Sequence, residues 1–254
     1  MYPMSSGFSD HRNGEAVTGF MVDRLGMASH AEAKALRDEY FKRYHSTMKG
    51  LTVAMAEGRL PKPFVQEELG EHWAQSCDFE RYLRPDPAFV AALEALSARG
   101  VALVAFSNSP RRYALRCLDV LGVRRLFPDY RVFGVEDVLP ACKPEPEAFH
   151  QVLTAVGTRP DRAVMFEDSM KNIRACKALG MHTVLIDETA GASTGGEAAL
   201  LGDVPLPDDP AVDAVLRNVG ELAGALPCLL SGRFEPQSRE PAGAAPTGAA
   251  VPAG

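Results

Sequence analysis

The chain has 254 residues, 46% of them hydrophobic, which allows one substantial core or one core with a small inserted domain. Its formal net charge of -6 argues against a nucleic-acid backbone or an anionic membrane as the main partner. No apolar run reaches membrane-spanning length, no secretory signal is visible, and the five cysteines form no Cys-x-x-Cys pair, which fits a reduced, cytoplasmic setting.

Residues 1–9 read as a loop leading into a first helix to about Leu25, with Ser9 or Asp10 as its cap and Gly26 as its stop. Ser29 and Glu32 have capping-box spacing and open a second helix that runs to Gly50. Helical segments follow near 51–57 and 64–76, separated by Gly58, Pro61 and Pro63. Residues 10–80 therefore predict a helical unit without a strand.

The pattern changes at Arg84-Pro85-Asp86-Pro87. Asp86 is a good helix cap and Pro87 suits a first helical turn, so a helix is expected over 88–98. Residues 101–106, VALVAF, read as a buried strand that ends at Ser107-Asn108-Ser109-Pro110. A helix over 111–121, a short strand over 130–134 and a helix over 146–156 follow. The apolar run 163–166 then stops at Glu167-Asp168-Ser169, ahead of a helix closed by Gly180. A last strand covers 183–187. This alternation from 86 to 187 predicts an α/β fold with a Rossmann-like parallel sheet. A long loop is expected at 189–210, an amphipathic closing helix at 212–226, and a disordered Pro/Gly/Ala-rich tail at 231–254.

Buried parallel strands hand their polar ends to the carboxyl edge of the sheet, where ligands bind in open α/β folds. Ser107 and the Asn108 N–H at a helix start suit a phosphoryl oxygen. Lys143, in the proline-stiffened run Cys142-Lys143-Pro144-Glu145-Pro146, can neutralise a phosphate or hold a carboxylate ionised. The adjacent carboxylates Glu167 and Asp168 repel each other and invite a divalent cation. The competing reading is structural: Ser169 caps the helix, and the two acids complement its positive end.

Together, strand-Ser-Asn, Cys-Lys-Pro-x-Pro-x-x-Phe and strand-Glu-Asp-Ser-x-x-Asn resemble the haloacid dehalogenase-like hydrolase superfamily. The resemblance implies a helical cap at 10–80 inserted near the N-terminus, a core at 81–230, and Mg²⁺-dependent phosphomonoester hydrolysis. It makes Ser107, Asn108 and Lys143 the phosphate-binding residues, Glu167 and Asp168 the metal ligands, and Asn172 a brace for their loop. Leu25-Gly26, residues 40–51 and Tyr82-Leu83-Arg84-Pro85-Asp86 look like the pyrimidine 5′-nucleotidase branch. That likeness implies a nucleoside monophosphate as substrate, with Tyr44, Thr47 and Lys49 as specificity candidates. Glutamate rather than aspartate at position 167 departs from many relatives and leaves a sugar phosphate or another small phosphate open.

The superfamily's nucleophile and its acid/base partner belong to an Asp-x-Asp-x-Thr signature at the end of the first strand, followed in this branch by Leu-Tyr-Pro. The present chain begins Met1-Tyr2-Pro3, and the signature occurs nowhere in it. Asp187 before Glu188-Thr189 is a partial look-alike, but it follows the Glu-Asp motif rather than preceding it. Asp10 lies too far into the helical unit to replace the nucleophile. The expectation is a fold without its central first strand, explained best by a natural start upstream of Met1. As written the chain would be inactive, and the rival reading is a binding or regulatory protein that keeps a phosphate and metal pocket.

Overall fold

A computed structural model describes residue 2 and residues 6–187, 204–225 and 227–230. The expected tail at 231–254, Glu188 and Thr189, and parts of the expected N-terminal and 189–210 loops lie outside these residues.

The chain begins with helical turns that run into one another: α1 (Phe8–His11), a widened π-type segment (Arg12–Ala16) and α2 (Val17–Asp23). Gly7 occupies the N-cap with φ 75, a conformation that favours glycine, so neither Ser9 nor Asp10 is the cap. Helix α3 (His30–Tyr44) starts as the capping-box spacing predicts. Ser29 accepts from the Glu32 N–H, while the Glu32 carboxylate accepts from the N–H of Ala28. The helix does not continue to Gly50. His45 takes φ 54, and Ser46 caps a separate α4 (Thr47–Ala56) by accepting from the Lys49 N–H. Helices α5 (Gln66–Ser76) and α6 (Phe79–Tyr82) complete this all-helical stretch.

Helix α7 (Pro87–Ala98) has the expected Asp86 cap, which accepts from the N–H groups of Ala88 and Phe89. Strand, helix and strand then alternate: β1 (Ala105–Phe106), α8 (Arg111–Val120), β2 (Val132–Phe133), α9 (Pro146–Ala155), β3 (Val164–Glu167), α10 (Met170–Ala178), β4 (His182–Ile186) and β5 (Ala214–Leu216). All pairings among the described residues are parallel. Ala105 and Phe106 pair with Val132 and Phe133, Val164–Glu167 pair with 182–185, and Val184–Ile186 pair with Ala214–Leu216. This is the α/β architecture expected.

The sheet is divided. Strand β1 pairs with β2 alone and β3 with β4 alone, and no ladder joins β1 to β3 among the described residues. The two ribbons nevertheless share apolar surroundings. Ala105, Val164 and Phe166 belong to one hydrophobic cluster, while Phe106 and Met165 pack with Phe149 and Leu153 of α9 in another. Only the last residue of β3, Glu167, is fully buried; Val164, Met165 and Phe166 are half-buried.

Residues 212–226 do not form a single amphipathic helix. They contain β5, a 3-10 turn at Val219–Glu221 and a helical turn at Leu222–Ala225. The reason lies in β4, whose outer edge takes up the Asp213 N–H at the Thr183 carbonyl and gives the Asp187 N–H to the Leu216 carbonyl. An available strand edge here outweighs local periodicity.

Candidate functional site

Three chain segments converge beyond the carboxyl ends of β1 and β3. The first follows β1. The Ser107 N–H extends the ladder by bonding the Phe133 carbonyl, and its hydroxyl accepts from the Ser109 N–H at 3.0 Å. The second is the turn ahead of α9 that carries Lys143. The third is the end of β3 with Glu167 and Asp168.

Asn108 holds the first two segments together. Its side-chain oxygen accepts from the Lys143 N–H at 2.9 Å, and its amide donates to the Lys143 carbonyl at 2.7 Å. The same amide donates to the His45 carbonyl at 3.2 Å, and the Ser46 hydroxyl donates to the Asn108 carbonyl at 3.1 Å. The turn between α3 and α4 is thus docked onto the loop that follows β1. The Asn108 side chain is a clamp between these segments.

Lys143 is buried, and its Nζ donates to Glu167 Oε2 at 2.5 Å. The ammonium also lies 5.4 Å from the centre of the Phe106 ring. Burial alone would raise the Glu167 pKa. The Lys143 charge and the contacts from Asp168 more than offset this and hold the carboxyl at about 2. Crowding by protein and the Glu167 charge act in the other direction on Asp168 and push it up to about 7. Asp168 is nevertheless exposed, so solvent screens part of this repulsion.

These groups line a cavity of ≈ 220 Å³ together with Arg12, Phe41, Ser46, Thr47, Trp73, Ser109, Lys171 and Asn172. The sequence motif residues Ser107, Asn108, Lys143, Glu167, Asp168 and Asn172 are all brought to it. Of the three specificity candidates, only Thr47 lines it. Lys49 instead bonds Glu145 Oε2 at 2.5 Å, and Tyr44 gives its carbonyl to the Cys142 thiol. Asp10 and Asp187 are not among the lining residues; Asp187 stands just past β4. Ser169 occupies the N-cap of α10, but its side chain makes no cap hydrogen bond to that helix.

Arg12 and Trp73 carry no motif, and nothing local in the sequence marks them. They reach the cavity because the π-type segment and α5 pack against the Ser109 loop. Arg12 donates to Ser109 Oγ at 3.0 Å, and its guanidinium carbon lies 5.4 Å from the Trp73 ring centre.

The carboxylates fit a hard divalent cation better than a zinc ion. No group of three or more His, Cys, Asp or Glu side chains is gathered among the described residues. Magnesium is commonly held by one or two carboxylates, with phosphate and water oxygens filling the other positions, and Asp168 with Glu167 meets that need. Among the described residues no helix is long and apolar enough to cross a membrane.

Known proteins resemble the chain in sequence and in fold. It is 32% identical over 136 residues to a phosphorylated carbohydrates phosphatase of Thermotoga maritima, which covers 54% of this chain and 62% of that protein. It is 34% identical over 100 residues to a phosphoglycolate phosphatase of Rhodospirillum rubrum, covering 39% and 40% of the two chains. The chain thus spans less than two thirds of either relative's length. In structure it is similar to an HAD phosphatase from Thermococcus onnurineus, with a TM-score of 0.54, 21% identity, and 90% and 92% of the two chains covered. CbbY from Rhodobacter sphaeroides, in complex with phosphate, gives a TM-score of 0.54 at 17% identity, covering 84% and 90%. At these identities the likeness concerns the fold alone. The family model for haloacid dehalogenase-like hydrolases matches residues 9–180, and the chain belongs to that family.

Proposed function

We propose that the protein acts on a compact phosphomonoester as a magnesium-dependent phosphatase. The observation that carries this reading is the meeting of Ser107, Lys143, Glu167 and Asp168 around one cavity. Lys143 and Ser107, with the Asn108 N–H, would hold the phosphoryl oxygens and stabilise the charge that develops on them. Mg²⁺ held by Asp168 and Glu167 would add charge neutralisation at the same oxygens. Asn172, buried on α10, would brace the Glu167-Asp168 loop. The helical unit at 10–80 would serve as a cap, closing the cavity through the His45–Ser46 contacts with Asn108.

The size of the cavity supports a small substrate. Its ≈ 220 Å³ lies below the roughly 300–1,000 Å³ of pockets that enclose drug-sized ligands. A phosphorylated carbohydrate or a small phosphorylated acid suits it. The nucleoside monophosphate implied by the finer sequence resemblance is a poorer fit. Two relatives, a phosphorylated carbohydrates phosphatase and a phosphoglycolate phosphatase, point the same way.

The 254 residues contain no Asp-x-Asp-x-Thr sequence. We therefore expect the chain to bind phosphate and Mg²⁺ without turnover. Among the described lining residues the carboxylates are Glu167 and Asp168 alone, which favours a second reading as a non-catalytic phosphate-binding protein. Two measurements separate these readings. Residues 1–254 with Mg²⁺ should bind inorganic phosphate in calorimetry and release no nitrophenol from p-nitrophenyl phosphate. The transcript should then be read upstream of Met1. An in-frame strand ending in Asp-x-Asp-x-Thr supports the enzyme, while a stop codon directly before Met1 leaves the binding protein. Turnover by 1–254 that Asp187→Asn abolishes, with the fold intact, would move the nucleophile to Asp187.

A further inference from the structure

We infer that the side-chain oxygen of Asn172 is a ligand of the divalent cation, standing beside the Asp168 carboxylate. This rests on the reading that such a cation sits at the Glu167-Asp168 pair.

A shortage of oxygen ligands is the first argument. Glu167 is already engaged at both carboxylate oxygens. Its Oε2 accepts from Lys143 Nζ at 2.5 Å, and its Oε1 accepts from the Asp168 N–H at 3.1 Å. Among the described lining residues Asp168 is the only other carboxylate. Hard divalent cations seek oxygen, and an amide carbonyl oxygen serves where carboxylates are few. An aspartate with an asparagine holds Mg²⁺ in protein kinases, so the pair is chemically sufficient.

Asn172 itself supplies the second argument. It is 8% exposed and lines the cavity. Its side-chain amide has no hydrogen-bond partner among the described residues. Buried polar side chains almost always find one, so a lone amide on a cavity wall marks a place for a bound group. Nor is it sealed in: unlike Asn13 Nδ2 and Trp73 Nε1, it is not cut off from solvent.

Helix geometry supplies the third. Asn172 is the third residue of α10, whose N-cap is Ser169. Helical side chains lean toward the N-terminus of their helix, so this amide leans back toward residues 167–169. The Ile173 N–H bonds the Ser169 carbonyl at 3.0 Å, which fixes that first turn. The Asn172 side chain makes no bond of its own to the loop among the described residues. The cation is the link through which it braces Glu167-Asp168.

The test titrates residues 1–254 with Mn²⁺, a paramagnetic stand-in for Mg²⁺, with inorganic phosphate present. Electron paramagnetic resonance measures the free metal, and competition by Mg²⁺ gives its affinity. Asn172→Leu, similar in size but without the oxygen, should bind Mn²⁺ at least about tenfold more weakly. Asn172→Asp keeps an oxygen and loses the N–H donors, and it should bind at least as tightly as the wild type. Metal-free Asn172→Leu should melt no lower than the wild type, because it loses no protein hydrogen bond. Should Asn172→Leu fail to fold, Asn172→Asp decides the matter: binding about tenfold weaker than wild type would show that the amide acts as a donor and would overturn the assignment. Unchanged Mn²⁺ affinity in Asn172→Leu overturns the Asn172 ligand and leaves the cation at Asp168. Absence of Mn²⁺ binding by the wild type overturns the cation site and Asn172 with it.

Discussion

The Lys143 ammonium and the Glu167 carboxylate lie 2.5 Å apart, and each side chain is only 9% exposed. They come from different segments, one ahead of α9 and one at the end of β3, so their pairing joins the two ribbons of the divided sheet at its carboxyl edge. Each charge is tolerable there because the other is present.

That mutual dependence makes a stability prediction. Lys143→Met leaves a buried, unpaired carboxylate and should cost about 3–5 kcal/mol in urea unfolding at neutral pH. Combining it with Glu167→Gln should recover most of the loss, because neither charge then remains uncompensated. Equal losses in the single and double variants would show that packing, not charge, sets the cost. Phosphate binding should fall in both.

Asp168 gives a pH prediction of opposite sign to Glu167. Its folded pKa is raised from the ordinary value of about 4 to about 7. The folded state therefore holds this proton more tightly than the unfolded state, and its stabilising effect is full below pH 4 and lost as pH rises through 7. Glu167, held at about 2, contributes stability above its ordinary value that is lost as pH falls toward 2. Metal-free protein should thus lose stability between pH 5 and pH 8, and Asp168→Asn should flatten that slope. Mg²⁺ affinity should rise over the same range, since the ligand must be deprotonated. Thermal melts with and without Mg²⁺ check both, and an unchanged slope in Asp168→Asn would remove Asp168 as its source.

Asn108 should prove to be a structural clamp as much as a ligand. Asn108→Ala removes the side-chain bonds to Lys143 and His45 and should destabilise the chain by about 2–3 kcal/mol. It should also raise amide exchange at residues 45–49, because the turn between α3 and α4 loses its anchor. Hydrogen exchange mass spectrometry reads this, and protection unchanged at 45–49 would assign the docking to Ser46 alone.

Lys49 should behave as half of a partly exposed ion pair. The side chains of Lys49 and Glu145 are 14% and 45% exposed, so Lys49→Ala should cost under about 1 kcal/mol. Its effect on stability should shrink at high salt. A salt-independent loss of several kcal/mol would give Lys49 a larger role than this pair.

Much of the site is legible in the sequence because each part follows a buried strand or a stiff loop. Ser107 comes after VALVAF, Glu167-Asp168 after an apolar run, and Lys143 sits among prolines. Arg12, Ser46 and Trp73 are not legible in this way. They arrive from a helical unit distant in sequence, and no spacing rule relates position 12 to position 109. The boundary at His45–Ser46 was hidden for a related reason. Residues 40–50 support helix locally, and the break is held by Asn108, far away in sequence. Residues 212–226 depart from the helix that their periodicity suggests because periodicity is local, whereas β5 forms on an edge that β4 provides.

The sequence by itself determined the alternation of elements, the parallel arrangement of the strands and the identity of the polar groups at their ends. These follow from short-range rules: apolar runs bury, caps start helices, and strands deliver their last residues to one edge. Tertiary structure decided which charges meet. It placed Lys143 on Glu167, raised Asp168 beside them, kept Lys49 outside, and brought Arg12 and Trp73 inside. Such pairings depend on desolvation and distance across the fold, quantities fixed only once distant segments have packed.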